Sequence, residues 1–320
     1  MCTAVSFVAN SHFFGRTLDY ERSYGEGVAV TPRRYTFKWR HGETLHEQYA
    51  MVGMAVVQDG YPLYYDAINE KGLCAAGLLF AGNAVYLPAK HGYDNVASFE
   101  LIPWLLARCE TVTQVKECLK KVRITSTPFS ADLLPTPLHW LIADKTASIV
   151  VEPLADGLHI YENPIGVLTN NPPFDYHLLH LTDFLHVSDT QPANNLYSSS
   201  PLQLYSRGMG GIGLPGDYSS GSRFVRAAFL KQHMAVGENK EKDFMQAFRI
   251  LHGVEVPQGC VTLENGCKVY SLYTSCCDVD EGIYRYTGYF EPKIISVNMF
   301  LENLTGDRVV WYPFLTGNTP

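Results

Sequence analysis

The sequence has no run of about 18 consecutive apolar residues, the length a membrane-spanning helix requires. It also has no basic segment leading into a short apolar one at its start, and together these absences predict a cytoplasmic protein. No block of Lys or Arg occurs and the net charge is -7 at pH 7, so a nucleic-acid backbone finds no complementary surface. Eight cysteines (2, 74, 109, 118, 260, 267, 276, 277) include no CxxC pair, and they read mostly as buried thiols. The adjacent pair Cys276-Cys277 offers neither zinc geometry nor an easy mutual disulfide. GxSxG, HExxH and the Walker loop are all missing, which leaves few candidates for a nucleophile. Nothing like a linker divides the 320 residues, 46% hydrophobic and 18% charged, and the chain reads as one domain, 1–320.

One glycine-rich stretch, Gly208-Met209-Gly210-Gly211-Ile212-Gly213, spells GxGxxG. A dinucleotide fingerprint must join a buried strand to a helix, whereas here polar residues precede it and Pro215-Gly216 follows. It reads as a loop, and no nicotinamide cofactor is expected.

Cys2 stands directly behind Met1 and opens the strand-like run Thr3-Ala4-Val5-Ser6-Phe7-Val8. Removal of Met1 leaves a thiol and a free α-amine on one residue, with unperturbed pKa values of about 8.5 and about 7.7–8.0. Nucleophile and proton acceptor then share a residue. Downstream, Phe14-Gly15-Arg16-Thr17-Leu18-Asp19-Tyr20 carries both signs of charge. A guanidinium near the sulfur favours the thiolate, and a carboxylate can hold the amine. The same residues also suit an ordinary strand start and an exposed hairpin ion pair.

Alternation predicts strands near 3–8, 28–39, 50–58 and 73–80. Helices are predicted over 98–108, with Ser98 as N-cap, and over 111–119, where Thr111 and Gln114 spell a capping box. Strands resume at 139–144 and 149–152 about a Lys145-Thr146-Ala147 turn, with another at 158–161. Further helices fit 222–233 and 242–252, and short aromatic and β-branched runs fill 268–312. The order is that of an α+β fold.

Six stretches together carry a resemblance: Met1-Cys2-Thr3, Phe14-Gly15-Arg16-Thr17-Leu18-Asp19, Asn69-Glu70-Lys71-Gly72-Leu73, Leu138-His139-Trp140, Val167-Leu168-Thr169-Asn170 and Ser222-Arg223-Phe224. In these, and in their order, the chain resembles the choloylglycine hydrolases, which include bile salt hydrolases and penicillin V acylases. The resemblance implies the αββα four-layer sandwich of N-terminal nucleophile hydrolases, loss of Met1, and Cys2 as nucleophile. It implies Arg16, Asp19 and Arg223 as the charge network and the Asn170 side chain as an oxyanion donor. The second oxyanion donor is implied to be the backbone NH of Leu79, in Ala76-Gly77-Leu78-Leu79-Phe80. Bile salt hydrolases commonly have Asn there and penicillin V acylases Tyr, so Leu79 departs from both and puts substrate preference in question.

By the same resemblance Leu18, Tyr24, Tyr65, Phe129 and Leu133 line a steroid site. Ser206-Arg207-Gly208 would face the amino-acid end of the substrate, leaning toward taurine conjugates. Conjugated bile salts are the implied substrates, with no metal or organic cofactor. A homotetramer is implied, with 188–216 as an intersubunit arm; that segment also reads as a surface loop. The alternatives are a penicillin V or N-acyl homoserine lactone acylase of the same family and, more distantly, a non-catalytic lipid-binding scaffold.

Overall fold

The computed structural model describes residues 1–45, 47–197 and 199–314, so His46, Ser198 (within the 188–216 segment) and 315–320 lie outside the described residues. The strands are β1 (Cys2–Val8), β2 (His12–Tyr20), β3 (Gly27–Thr31), β4 (Met51–Gln58), β5 (Tyr61–Asn69), β6 (Cys74–Leu79), β7 (Asp94–Ala97) and β8 (Val122–Thr125). They continue as β9 (Leu138–Ala143), β10 (Ser148–Leu154), β11 (Gly157–Glu162), β12 (Val167–Leu168), β13 (Val261–Thr262), β14 (Lys268–Asp278), β15 (Ile283–Gly288), β16 (Ile295–Asn298) and β17 (Val310–Pro313). The α-helices are α1 (Leu101–Leu106), α2 (Val112–Leu119), α3 (Phe174–Leu181), α4 (Ser220–His233) and α5 (Lys240–His252). None of them is long and apolar enough to cross a membrane.

One sheet runs β12-β1-β2-β14-β15-β16, with β13 on the edge of β14, and a second runs β11-β10-β9-β6-β5-β4-β3-β17. Helices α4 and α5 cover the first sheet at β1, β2 and β14, while α1 covers the second at β5 and β6. The layers are therefore helix, sheet, sheet, helix, the αββα arrangement of an α+β sandwich. Side chains alternate between the faces of each strand, so a strand covered on both sides must be apolar at nearly every position. In β9 and β10, Leu141, Ala143 and Val150 join the core between the sheets, while Ile142, Ile149 and Val151 pack under α1 and α2.

Local chemistry sets the element ends. Thr111 caps α2 by accepting the Gln114 NH (3.2 Å), and the Asp144 carboxylate takes the Thr146 and Ala147 NH groups (2.7 and 2.9 Å) to close the β9–β10 turn. Ser98 is not a cap: Ala97 ends β7 in that position, and Glu100 reaches back to accept its NH (3.2 Å). The expected strand over 28–39 stops at Thr31, because Pro32 follows and supplies no NH. The alternation of Tyr35, Phe37 and Trp39 beyond it belongs to an aromatic cluster, Tyr35 edge-on to Phe37 (ring centroids 4.8 Å apart) and Phe37 stacked on Trp39 (4.6 Å). Helix α3 follows Pro172-Pro173, where the sequence suggested only a turn. The GxGxxG stretch is irregular apart from a single 3-10 turn at Met209–Gly211.

Candidate active site

Cys2 pairs with Leu18 and Ala4 with Arg16 across the β1–β2 ladder. Strand alternation therefore sends Cys2, Ala4, Arg16 and Leu18 to one face and Thr3, Thr17 and Asp19 to the other. On the first face the buried Arg16 crosses to the second sheet, where its Nη1 donates to the Tyr65 and Gly77 carbonyls (3.0 and 2.7 Å). Its Nη2 has no hydrogen-bond acceptor among the described residues. Burial works against the charge on Arg16, yet the neighbouring Cys2, Tyr273 and Asp66 outweigh it and hold the guanidinium above its ordinary pKa. Asp66 is the fully buried counter-charge. Its carboxylate accepts from Tyr284 Oη (2.8 Å), Tyr273 Oη (3.0 Å) and Ser275 Oγ (3.4 Å). Burial pushes its pKa up, while Arg16 and these hydroxyls pull against that shift.

On the other face lies Arg223, the fourth residue of α4 and fully buried. Its Nη1 donates to Thr3 Oγ1 (2.7 Å) and to the Cys2 carbonyl, and its Nη2 donates to Asn170 Oδ1 (2.7 Å). Asp19 Oδ2 is 3.9 Å away. Burial lowers the Arg223 pKa, opposed by Asp19 and Cys2. Asn170, two residues past β12, accepts the Cys2 NH at Oδ1 (2.8 Å) and donates from Nδ2 to the Leu79 carbonyl (2.8 Å). The NH and carbonyl of one strand residue share an edge. Phe80 NH goes across to Pro137, so Leu79 presents its NH toward Asn170, where the β5 ladder has already ended at Asp66 opposite Ala76. One side chain thus ties together the nucleophile candidate's nitrogen, a buried cation and a backbone edge.

A family model of linear amide C-N hydrolases, the choloylglycine hydrolase family, matches residues 2–312. A protein named bile salt hydrolase/transferase from Lactiplantibacillus plantarum is 46% identical over 98% of this chain and 97% of its own. A mutant of the conjugated bile acid hydrolase from Clostridium perfringens has a crystal structure that superposes with a TM-score of 0.92 at 34% identity, over 98% of this chain and 97% of that one. The chain belongs to the choloylglycine hydrolase family. A penicillin V acylase from Agrobacterium tumefaciens shares the fold, with a TM-score of 0.77 at 21% identity over 96% of this chain and 90% of that one.

In this choloylglycine hydrolase the expected partner of Asp19 is the α-amine that removal of Met1 would free; with Met1 in place the Cys2 nitrogen is a peptide NH and donates to Asn170 Oδ1. The Asp19 carboxylate, turned to the α4 side by strand alternation, accepts instead from Ser271 Oγ (2.6 Å) and Thr17 Oγ1 (3.3 Å). The Asp19 backbone, in contrast, is beside Met1: Met1 N donates to its carbonyl (2.7 Å) and its NH donates to the Met1 carbonyl (2.9 Å).

The expected lining divides into two groups. Leu18 faces Cys2 across the ladder, and Tyr65 lends its carbonyl to Arg16. Tyr24 is exposed and packs on Tyr20, with ring centroids 5.6 Å apart. Phe129 and Leu133 share a turn between β8 and β9 (Phe129 NH to Leu133 carbonyl, 3.1 Å). The Phe129 ring packs on Tyr61 and Phe99 (5.5 and 5.4 Å), and none of its described contacts reaches Cys2. Arg207 is exposed. Sequence reasoning missed three buried groups behind the site: Asp66, the His139–Glu152 pair and His177. Only His139 carried a signal, as the polar member of the Leu138-His139-Trp140 stretch.

Proposed function

We propose that this choloylglycine hydrolase cleaves the amide bond of glycine- or taurine-conjugated bile salts, with Cys2 as nucleophile after Met1 is removed. The observation that carries the reading is the convergence on Asn170 of the Cys2 nitrogen, Arg223 and the Leu79 edge. The named activities of its relatives supply the substrate class.

The thiol proton passes to the Cys2 α-amine, and the sulfur attacks the substrate carbonyl. Arg16, charged and unable to deprotonate, stands beside the developing thiolate. Negative charge then moves to the carbonyl oxygen, where Asn170 Nδ2 and the Leu79 NH donate to it. Collapse expels the amine of glycine or taurine, which takes the proton from the α-amine. Water, deprotonated by the same α-amine, cleaves the thioester and regenerates the thiol. Arg223 holds Asn170 Oδ1 so that the Asn170 amide presents oxygen to the α-amine and NH2 to the oxyanion. Leu18, Tyr24, Tyr65, Phe129 and Leu133 form the apolar wall for the steroid.

The test is amine release from taurocholate, glycocholate and penicillin V by protein free of Met1 under reductant. Release from either bile salt with little from penicillin V supports the reading. The reverse preference makes the chain a penicillin acylase, and silence on all three overturns hydrolysis. The 188–216 segment, with Leu196, Leu202 and Tyr205 exposed, supports a subunit contact. A monomer by light scattering at working concentration removes that part.

A further inference from the structure

Behind Asn170 lies a polar cluster that the reaction as described does not use. The His139 side chain, fully buried on β9, is placed between two acceptors: its Nδ1 is 2.9 Å from Glu152 Oε1 on β10, and its Nε2 is 2.9 Å from the Thr169 carbonyl. Neither a carboxylate nor a carbonyl can donate, so two hydrogen bonds at these distances need a hydrogen on both ring nitrogens, or one on the carboxyl and one on Nε2. Either way the pair holds one proton more than a neutral imidazole facing a carboxylate, and its net charge is zero. Without that proton a bare negative charge would sit in the core, and one hydrogen bond would become a lone-pair clash.

The cluster touches both backbone segments implicated in holding the oxyanion. The Phe80 ring, next to Leu79, stacks face to face on His139 (4.2 Å between centroids, 6° between planes). Thr169 precedes Asn170. Glu152 also accepts the Phe174 NH at both oxygens (3.2 Å each), which seats α3. From α3, His177 Nε2 lies 2.9 Å from the Asn170 carbonyl. Burial lowers the His177 pKa to about 4, so its neutral ring donates there from Nε2, and its Nδ1 has no partner among the described residues. Ser220 Oγ accepts the Asn170 NH (2.8 Å) and donates to Thr169 Oγ1 (2.9 Å). The titratable groups facing the pair from neighbouring elements are His177 on α3 and Tyr161 on β11.

We propose that His139 and Glu152 are positioning residues: as a proton-sharing pair they hold the Thr169 carbonyl and the Leu79–Phe80 segment, and so fix the separation between the Asn170 amide and the Leu79 NH. This rests on the reading of those two groups as oxyanion donors. The pair touches no reacting atom, so its loss alters kcat and spares KM.

The experiment compares His139→Leu, Glu152→Ala, Glu152→Gln and Asn170→Ala on taurocholate, and follows His139 by NMR after 15N-histidine labelling. His139→Leu and Glu152→Ala each lower kcat about 10- to 100-fold, the scale of a misplacement near 1 Å, with KM within about threefold. Glu152→Gln recovers at least about tenfold over Glu152→Ala: its amide NH2 donates to Nδ1 of a neutral ring, which keeps Nε2–H on Thr169. In the parent at neutral pH the spectrum shows either hydrogen on both His139 nitrogens or hydrogen on Nε2 with Nδ1 accepting from a protonated carboxyl. A bare Nε2 in the parent overturns the proposal, as does a folded His139→Leu with parental kcat. Should His139→Leu fail to fold, the Glu152→Gln against Glu152→Ala ratio decides, and a ratio near one overturns it. Asn170→Ala separates the two claims: parental kcat there defeats the oxyanion reading, whereas a large loss there beside an unaffected His139→Leu defeats the positioning claim alone.

Discussion

At the scale of single residues, the Asn170 side chain joins three parts of the site. Its oxygen is shared between the Cys2 nitrogen and Arg223, and its nitrogen faces the Leu79 edge. With Asn170 as the proposed oxyanion donor, Asn170→Ala is expected to lower kcat by about 10²- to 10³-fold, read from steady-state taurine release. Cys2→Ala should abolish turnover while calorimetry still records taurocholate binding; a lipid-binding scaffold would show the second property and never have shown the first. That Cys2, Arg16, Asn170 and Arg223 lie together was legible in the sequence because the short motifs shared with the family mark all of them, and for Cys2 and Arg16 thiol chemistry also calls for a cation near the sulfur. Asp66 and Glu152 were not. Each is a carboxylate inside an apolar strand; the partner of Asp66, Tyr284, is far along the chain, and that of Glu152, His139, lies on the neighbouring strand, while Glu152 itself is outside every short motif.

Among elements, β1 and β2 are held in place by close packing that permits no enlargement. An alanine Cβ at Gly15 would lie 2.2 Å from the Ser275 carbonyl on β14 and 2.8 Å from Leu251 on α5. Gly15→Ala should therefore cost about 1–3 kcal/mol or more in urea unfolding, while Gly211→Ala, with open space around it, should stay within about 0.5 kcal/mol. Helix α3 and strand β2 also make stability depend on pH. Burial lowers the pKa of His177 and of His12 from 6.5 to about 4. Between those values the unfolded chain binds protons that the folded one does not, so stability is full above about pH 6.5 and falls as the pH drops toward 4. Each group contributes on the order of 3 kcal/mol across that window. Urea midpoints at pH 7 and pH 4.5 measure the slope, and the double variant His12→Gln, His177→Gln should flatten it. The strand-and-helix order was readable from periodicity and caps. Helix α3 was not, because Asn171-Pro172-Pro173 signals a turn and hides the helix that starts at the next residue. The aromatic alternation past Thr31 misled for a related reason, since ring packing can produce the same period as a pleat.

The whole molecule joins residues from opposite ends of the chain. The strand holding Cys2 lies between β12 and β2, and β2 in turn lies against β14, with Tyr20 opposite Tyr270 and Phe13 opposite Asp278. During synthesis the β1–β2 hairpin leaves the ribosome first, and its β14 neighbour follows some 250 residues later. At about 5–20 residues per second that is a delay of roughly 12 to 50 s. Throughout it, a hairpin of Val, Phe and Leu has one edge without its strand, the condition that templates association between nascent chains. A chain ending at residue 260 should accordingly be recovered as aggregate in a pelleting assay, whereas the full chain stays in the supernatant. The first residues are reachable by an aminopeptidase until the hairpin forms and half-buried Met1 pairs with the Asp19 backbone. Added methionine aminopeptidase should therefore process the urea-unfolded precursor faster than the folded one, which ties the proposed removal of Met1 to the time before the fold closes.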